Sequence, residues 1–312
     1  MRVLVTGGTG FVGLHFVQAL LDSGASVRVP VHHRPLPDVL PAHRLERIDA
    51  DLTRPDDCAR CCADVDWVVH AAGGVGAAGV GDLAQMQGIT LNLVLTARVL
   101  EAAWAQGVKK VLLFGSSTGY PPATHPVKES EMWSADPYEG YFGYGWMRRY
   151  IERLGELVDR RSTTRVAVCR PPAVYGRHDS FDAATSHVMA GLIRRAVEGE
   201  TPLRVWGDGR EVRDFLHVTD LARGGLALLG SEVDEPLNLG SGEATTVGAL
   251  AGMVLDAVGR GGEAPLFDPS KPTAIPFRLV DITRARHLLG FAPRVTLGEG
   301  VADTVEWYRT HR

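Results

Sequence analysis

Apolar segments alternate with amphipathic segments through the first half of the chain. Residues 1–5 form a short apolar run, and residues 14–21 carry apolar side chains at helical spacing. Further apolar runs lie at 27–31, 45–48, 65–70, 110–114 and 165–169, with helical patterns between them. Strands separated by helices are typical of a parallel sheet. The pattern predicts an α/β fold with a Rossmann-like doubly wound parallel sheet.

The pattern changes after Pro171-Pro172. It predicts a helix near 186–198, short strands near 203–206 and 236–239, and a helix near 247–258. We expect these segments to build a smaller C-terminal substrate-binding lobe over the sheet edge. The predicted division gives residues 1–172, with a returning segment at about 207–238, to a dinucleotide-binding domain, and mainly 173–206 and 239–312 to the lobe.

Glycines mark the junction between the first predicted strand and the first predicted helix. Gly7 would allow a tight turn, Gly10 would let backbone approach a pyrophosphate, and Gly13 would allow close helix packing. The following Phe11 and Val12 place their amides at the helix N-terminus, which favours an anion. We predict dinucleotide binding here; a plain glycine-rich turn is the alternative.

The end of the second strand indicates which nicotinamide cofactor is held. An acidic residue there binds a free ribose diol, whereas basic residues accept a 2′-phosphate. Here Val31 is followed by His32, His33 and Arg34, which favours NADP over NAD; a solvated loop is the alternative. After the third strand, Asp51-Leu52 would contact the adenine or simply cap the next helix.

Hydroxyl groups follow the fifth strand, where Ser116 lies at the predicted ligand edge of the sheet. Tyr144 and Arg148 are four residues apart on a predicted helix and share one face. A phenol acts as an acid or base near neutral pH only when a cation stabilises its phenolate, and Arg148 could supply that charge. Ser116 would hold the substrate oxygen.

These residues, with several further segments, resemble the extended short-chain dehydrogenase/reductases that act on nucleotide sugars. The glycine loop, the Ser116-Ser117 pair and the Tyr-x-x-x-basic step carry the superfamily resemblance. Other segments are similar to the GDP-L-fucose synthase branch of the epimerase/dehydratase family; they are Ala71–Gly76, Val174–Phe181, Ser186–Val188 with Arg194-Arg195, Val205–Gly209, Arg213–Asp220 and Phe267–Pro272.

The resemblance implies roles for individual residues. Ser116 and Tyr144 would polarise a carbonyl, and His187 would exchange a proton beside it. Cofactor contacts would come from Ala71, Ala72, Arg148 and Pro171. Substrate contacts would come from Val75, Ser117, His187, Arg195, Trp206, Arg213 and Lys271. Arg213 could instead form a salt bridge with Asp214.

The chain departs from the family pattern at three places. Arg148 replaces the lysine, keeping the charge but changing its geometry. Thr118 replaces a cysteine that pairs with the histidine in epimerisation, and an alcohol is a poorer base than a thiol. Ala173 replaces an asparagine and Thr273-Ala274 replace Asp-Gly, so sugar contacts differ. Thr118 stays a candidate catalytic residue.

The predicted function is an NADP-dependent oxidoreductase that reduces the 4-keto group of a GDP- or other nucleotide-activated sugar, with or without epimerase activity. One alternative is an epimerase that keeps its NAD(P) bound and consumes none. The other is a non-catalytic NADP sensor, a role suggested by the replacement of the family lysine.

Composition and charge indicate which partners, cellular location and metal content to expect for this protein. The net charge of −4 and the scattered basic residues predict no nucleic-acid partner, and no apolar run is long enough for a membrane span. An N-terminus without a signal peptide predicts a cytoplasmic protein. Four cysteines without a matching ligand pair predict buried thiols and no metal. We expect a homodimer, with Asn92–Trp104 and Gly145–Val158 as candidate interface helices.

Overall fold

The computed structural model describes residues 1–37, 39–41, 44–74, 82–183, 185–271 and 273–312. The strands are β1 Arg2–Thr6, β2 Ser26–Val31, β3 Leu45–Asp49, β4 Trp67–His70, β5 Lys110–Phe114, β6 Arg165–Arg170, β7 Ala173–Tyr175, β8 Arg204–Trp206, β9 Val212–Arg213, β10 Phe215–His217, β11 Leu237–Asn238, β12 Thr245–Thr246, β13 Leu266–Asp268 and β14 Phe277–Arg278. The helices are α1 Phe11–Asp22, α2 Pro55–Cys62, α3 Asp82–Ala105, α4 Phe142–Arg161, α5 Val188–Val197, α6 Val218–Leu229, α7 Val247–Ala257, α8 Thr283–Leu289 and α9 Leu297–His311.

The central sheet has seven parallel strands in the order β11-β6-β5-β4-β1-β2-β3. Chain order reverses between β1 and β4, which is the point where ligands bind in open parallel sheets. Alternate β1 residues face opposite layers, with Val3 and Val5 packed in the core beside α1 and α6. Leu4 packs in the other layer with α2, α3 and α4. The predicted doubly wound α/β fold is confirmed.

A third apolar cluster lies outside the sheet and joins α5, α7 and α9. Small sheets border it: β7 pairs with β10, β8 with β13, and β9 with both β12 and β14. The chain then returns to the main sheet, because α6 packs on α1 and β11 pairs with β6. The expectation that the strand near 236–239 belongs to the smaller lobe is therefore wrong, since β11 is an edge strand of the main sheet. These contacts agree with a separate lobe, but the proposed domain limits stay a prediction.

The helix that we expected from 186 begins at Val188, with His187 as its N-cap residue. Cys58, Cys61, Cys62 and Cys169 are all buried and free. Within the described ranges, no group of three His, Cys, Asp or Glu side chains could hold a metal ion. None of the described helices is long and apolar enough to cross a membrane.

Candidate active site

The glycine loop between β1 and α1 is closely packed. Gly7 has φ +68°, and a Cβ there would lie 2.6 Å from the carbonyl oxygen of Ala71. A Cβ on Gly13 would lie 2.2 Å from the Gly7 oxygen, so neither position accepts a side chain. Gly10 caps α1 without a side-chain hydrogen bond to the first turn, where Phe11 and Val12 begin the helix. The open cradle and helix N-terminus fit the phosphates of a dinucleotide.

A buried chain of hydrogen bonds supports the glycine loop, and the sequence analysis did not predict it. Thr6 Oγ1 accepts from the Ala72 amide at 3.1 Å and contacts His70 Nδ1 at 2.9 Å. His70 Nε2 contacts Thr96 Oγ1 at 3.0 Å. Burial, assisted by the positive Arg148, lowers the pKa of His70 to about 4. A neutral His70 therefore fixes Ala71-Ala72 against Gly7. Its position at the end of β4 is the sequence feature that could have indicated this role.

The segment after β2 lies beside the phosphate loop. Arg34 lines a cleft of about 530 Å³ together with Gly10, His178 and Trp307. His32 and His33 are exposed and in contact, with ring centroids 3.6 Å apart and ring planes tilted by 38°. Arg34 can therefore reach a ligand that lies on the glycine loop, whereas the two histidines mainly contact each other. Trp307, which comes from α9, could not be predicted at this cleft from the sequence.

Asp51 and Leu52, the expected adenine contacts, have local partners. The Asp51 carboxylate accepts from the amide and the hydroxyl of Thr53 at 2.9 and 2.7 Å, and these bonds lower its pKa. Leu52 is buried in the core. The carboxylate therefore shapes a turn before α2, but it does not cap that helix, whose N-cap residue is Arg54 without a side-chain cap.

The turn after β5 presents the first catalytic candidate. Ser116 Oγ accepts hydrogen bonds from the Thr118 amide at 3.2 Å and the Thr118 hydroxyl at 2.9 Å. Because Ser116 accepts both bonds, its own hydroxyl proton is available for a substrate oxygen. Ser117 is buried, and its amide donates to the Pro171 carbonyl at 3.0 Å. Pro171 thus fixes the turn through its backbone.

Helix α4 brings Tyr144 and Arg148 to the same place. Arg148 Nη2 donates to the Tyr144 hydroxyl at 2.5 Å, and Arg148 Nη1 donates to the Phe114 carbonyl at 3.0 Å. A Cβ on Gly145 would lie 2.7 Å from the Thr118 carbonyl, so α4 packs directly on the serine turn. The structure therefore brings Ser116, Thr118, Tyr144 and Arg148 together at the carboxyl end of β5.

A buried ion pair lies under this turn. Arg170 contacts Glu152 through two hydrogen bonds of 3.0 and 2.7 Å, and Arg170 also donates to the Tyr120 hydroxyl at 3.0 Å. Burial alone would lower the pKa of Arg170, but Glu152 and Tyr120 together raise it. A Cβ on Gly115 would lie 2.3 Å from Glu152 Oε1. The pair links β6 to α4 and holds the two halves of the candidate centre together.

His187 lies at the start of α5, with Nδ1 3.8 Å from Asp179 Oδ1. Interaction with Asp179 raises the pKa of His187 despite partial burial. Asp179 lines the same cleft as Gly10 and Arg34. Among the described side chains, no hydrogen bond joins His187 to the Ser116–Tyr144 group. The structure therefore associates His187 with the cleft through Asp179.

Most expected substrate contacts lie in the smaller lobe. Arg195 donates to the carbonyls of Gly191 and Arg204, which hold it within the lobe. Trp206 is exposed at the end of β8, and Lys271 is also exposed. Val75 lies outside the described residues. The substrate contacts of these residues stay predictions.

Arg213 has no ion pair with its neighbour Asp214. The Asp214 carboxylate instead accepts from the Ser241 amide and hydroxyl, the Gly242 amide and the Val280 amide. Arg213 donates to the Val212 carbonyl at 2.9 Å, and burial lowers its pKa. The salt-bridge alternative is wrong for the described residues, and most of the guanidinium is left for another partner.

Comparison with known proteins places the chain among nucleotide-sugar enzymes of one family. The NAD dependent epimerase/dehydratase family matches residues 3–240. A dTDP-4-dehydro-6-deoxy-D-allose reductase from Streptomyces sp. is 31% identical, covering 99% of this chain and 97% of the relative. The GDP-L-fucose synthase of Escherichia coli is 31% identical, covering 78% of this chain and 80% of the relative.

Two solved structures share the fold of this chain over its whole length. The UDP-glucose 4-epimerase of Thermotoga maritima, solved with UDP-glucose, has a TM-score of 0.89 and 25% identity, covering 100% of this chain and 99% of that chain. The UDP-glucuronic acid 4-epimerase of Bacillus cereus, solved with UDP-glucuronic acid and NAD, has a TM-score of 0.84 and 25% identity, covering 100% of both chains. The expected family and enzyme class are confirmed. The chain belongs to the NAD dependent epimerase/dehydratase family of enzymes.

Proposed function

We propose that this enzyme reduces the 4-keto group of a nucleotide-activated sugar with NADP as its cofactor. The observation that carries the proposal is the group formed by Ser116, Tyr144 and Arg148, in which Arg148 bonds both the Tyr144 hydroxyl and the Phe114 carbonyl. This group has a proton donor, a cation beside it and a second hydroxyl, which is what carbonyl reduction needs.

Each side chain has a defined task in that reaction. Ser116 donates a hydrogen bond from its free hydroxyl to the carbonyl oxygen of the sugar and so holds that oxygen in place. Tyr144 transfers its proton to that oxygen, and Arg148 stabilises the phenolate that remains. A nicotinamide cofactor held in the cleft would supply the hydride for the carbonyl carbon. A C–H bond and an O–H bond form, so the ketone becomes an alcohol.

The cofactor would be held by the glycine loop and by Arg34. Gly7, Gly10 and Gly13 leave room for its diphosphate at the start of α1. Arg34 lines the same cleft, and its guanidinium matches the fork geometry of a phosphate. The proposed preference for NADP rests on that cation after β2, where no acidic residue stands.

Thr118 favours reduction without double epimerisation. Its hydroxyl proton is donated to Ser116 at 2.9 Å, so Thr118 supports the proton donor beside it. An alcohol in that arrangement is a weak base for removing a proton beside a keto group. The Streptomyces relative, which is named a reductase, agrees with this choice. GDP is the nucleotide that we propose first.

The test is consumption of NADPH with the 4-keto-6-deoxy sugars of GDP, dTDP and UDP. We expect one of the three to oxidise NADPH in proportion to the alcohol formed. If none of them is reduced while NADPH still binds, the reductase proposal is wrong.

A second candidate is an epimerase that returns its hydride to the same sugar. It is favoured by the full-length likeness to two sugar 4-epimerases. Such an enzyme would keep an oxidised nicotinamide through purification and would interconvert two sugars without added cofactor. Mass spectrometry of the purified protein, followed by incubation with UDP-glucose alone, separates the two candidates.

A further inference from the structure

Four segments of the chain meet around the cleft that Arg34 lines. Arg34 follows β2, Gly10 precedes α1, His178 follows β7, and Trp307 belongs to α9. Helix α9 packs with α5 and α7 in the apolar cluster of the smaller lobe. The cleft beside the glycine loop is therefore bordered by the C-terminal helix as well as by the segments that start the main sheet.

The segment that carries His178 is tied to both α1 and α9. His15 on α1 donates from Nε2 to the Arg177 carbonyl at 3.0 Å. The Arg177 guanidinium donates to both carboxylate oxygens of Asp303 on α9, and the bond from Nε is 2.8 Å long. A paired arginine–carboxylate contact fixes the orientation of its two partners. The residue before His178 is thus held at its backbone by one helix and at its side chain by another.

His178 itself has a strained backbone. Its φ is +66°, in the left-handed region that residues with a side chain seldom adopt, and Asp64 is the other non-glycine residue with a positive φ among those that the structure describes. The imidazole lies between the rings of His15 and Trp307, with centroid distances of 5.9 and 4.8 Å. Such strain persists only where the surrounding contacts fix it, and it is concentrated at ligand sites.

The imidazole of His178 has unused hydrogen-bonding capacity. Neither ring nitrogen has a partner in the described part of the chain, and the residue is only partly buried. Burial and then the charges of neighbouring basic groups lower the pKa of His178 to about 4; these groups are His15, His311, Arg177 and Arg34. Near neutral pH the ring is therefore uncharged and has one N–H donor. A donor in the same cleft as Arg34 suits an anionic oxygen.

We propose that His178 donates a hydrogen bond to the 2′-phosphate of NADP jointly with Arg34, and that Trp307 positions the His178 ring for this contact. The inference rests on the proposed function, because it takes NADP to be the cofactor. Arg34 supplies the positive charge, and the imidazole supplies a second donor with a fixed direction. Trp307 is itself stacked on His311, with ring centroids 4.7 Å apart. Cofactor selection then depends on α9 as well as on the segment after β2.

The experiment measures the dissociation constants of NADPH and NADH by fluorescence titration, for the unaltered protein, His178→Gly and Trp307→Leu. Glycine adopts a positive φ without steric cost, so the first variant removes the imidazole and keeps the backbone conformation. We expect each variant to bind NADPH about 10-fold more weakly, since a hydrogen bond to a charged group is lost or misplaced. NADH lacks the 2′-phosphate, and its affinity should stay within about twofold.

Asp64→Gly is the matched control. Asp64 has φ +56° and lies between α2 and β4, and it does not line the cleft. We expect this control to bind both cofactors as the unaltered protein does. Thermal unfolding of both glycine variants should give a Tm no lower than that of the unaltered protein, because the positive φ no longer costs energy. Equal losses of NADPH and NADH affinity in His178→Gly would mean that His178 only supports the glycine loop, and the inference would be wrong.

The remaining outcomes separate this inference from the proposed function. If both variants keep the full preference for NADPH, the inference is wrong and the proposed cofactor stands with Arg34 alone. If the unaltered protein binds NADPH no more tightly than NADH, the proposed NADP preference is wrong and the inference with it. Loss of the preference in the variants of a protein that reduces no 4-keto sugar would support the inference and reject the proposed reaction.

Discussion

Arg148 donates a hydrogen bond to the hydroxyl of Tyr144, one helical turn earlier on α4, while its other terminal nitrogen holds the carbonyl of Phe114. The arginine therefore links the helix to the end of β5. A lysine at this position has one ammonium group and would not reproduce the same pair of contacts in a planar fork. The arginine that replaces the family lysine is thus held by two contacts at once, one to the Tyr144 hydroxyl and one to the Phe114 carbonyl.

Tyr144→Phe should lower the rate of ketone reduction by about 10²- to 10⁴-fold, because the proton donor is lost while packing is kept. Steady-state kinetics and NADPH binding, measured together, test this. Tyr150→Phe is the control, since Tyr150 is an exposed tyrosine on the same helix. Full activity in Tyr144→Phe would remove Tyr144 from the reaction, and a matching loss of NADPH affinity would indicate a structural defect.

Arg34→Ala should weaken NADP binding by about 10- to 100-fold and leave NAD binding nearly unchanged, because only NADP has the 2′-phosphate. Fluorescence titration with both cofactors measures the two affinities. Arg47→Ala is a suitable comparison, since Arg47 is exposed and paired with Asp49. An equal change for NADP and NAD would contradict the proposed role of Arg34.

The stability of the protein should fall in acid partly through His70. Its pKa is lowered from 6.5 to about 4 in the folded state. The neutral form therefore stabilises the fold fully above pH 6.5, and this contribution is lost as the pH falls toward 4. The total loss from this group is about 3 kcal/mol, from the size of the pKa shift.

Urea unfolding of the protein and of His70→Gln, at several pH values across that window, measures this contribution. The variant should be less stable near neutral pH, because the bonds to Thr6 and Thr96 are altered, but its stability should depend less on pH. The same pH dependence in both proteins would show that His70 does not titrate on unfolding.

The expected homodimer also becomes a specific prediction. Met86, Leu91 and Val94 on α3 are exposed, as are Trp146 and Leu157 on α4. A contiguous apolar helix face is typical of a subunit interface. The double variant Leu91→Glu with Val94→Glu should be a monomer in light scattering, whereas Leu288→Glu, an exposed leucine on α8, should not change the mass. A monomeric unaltered protein would contradict the prediction.

The sequence predicted the fold well because its signals are local. Apolar runs and the glycines at 7, 10 and 13 depend on neighbouring residues, and the structure follows them closely. The spacing of Tyr144 and Arg148 on one helix was predictable for the same reason. Ser116 could be placed beside them because parallel strands bring their carboxyl ends to one edge.

Partners that come from distant segments could not be predicted. Arg278 meets Arg213 through strand pairing, and Trp307 reaches the cleft from the last helix. His70 contacts Thr6 and Thr96 only because β4 lies between β1 and α3 in space. Neither the periodicity of a segment nor its composition contains that information.

The proposed reaction transfers a hydride from NADPH to a sugar ketone at the Ser116, Tyr144 and Arg148 group. Its most direct test uses NADPH carrying deuterium at the transferred position of nicotinamide C4, the 4-keto sugar that the enzyme reduces, and mass spectrometry of the product. We predict one deuterium at sugar C4 in each product molecule and a large loss of product with Tyr144→Phe. Product without deuterium, or labelled product that forms equally fast without the Tyr144 hydroxyl, would show that the proposed reaction is wrong.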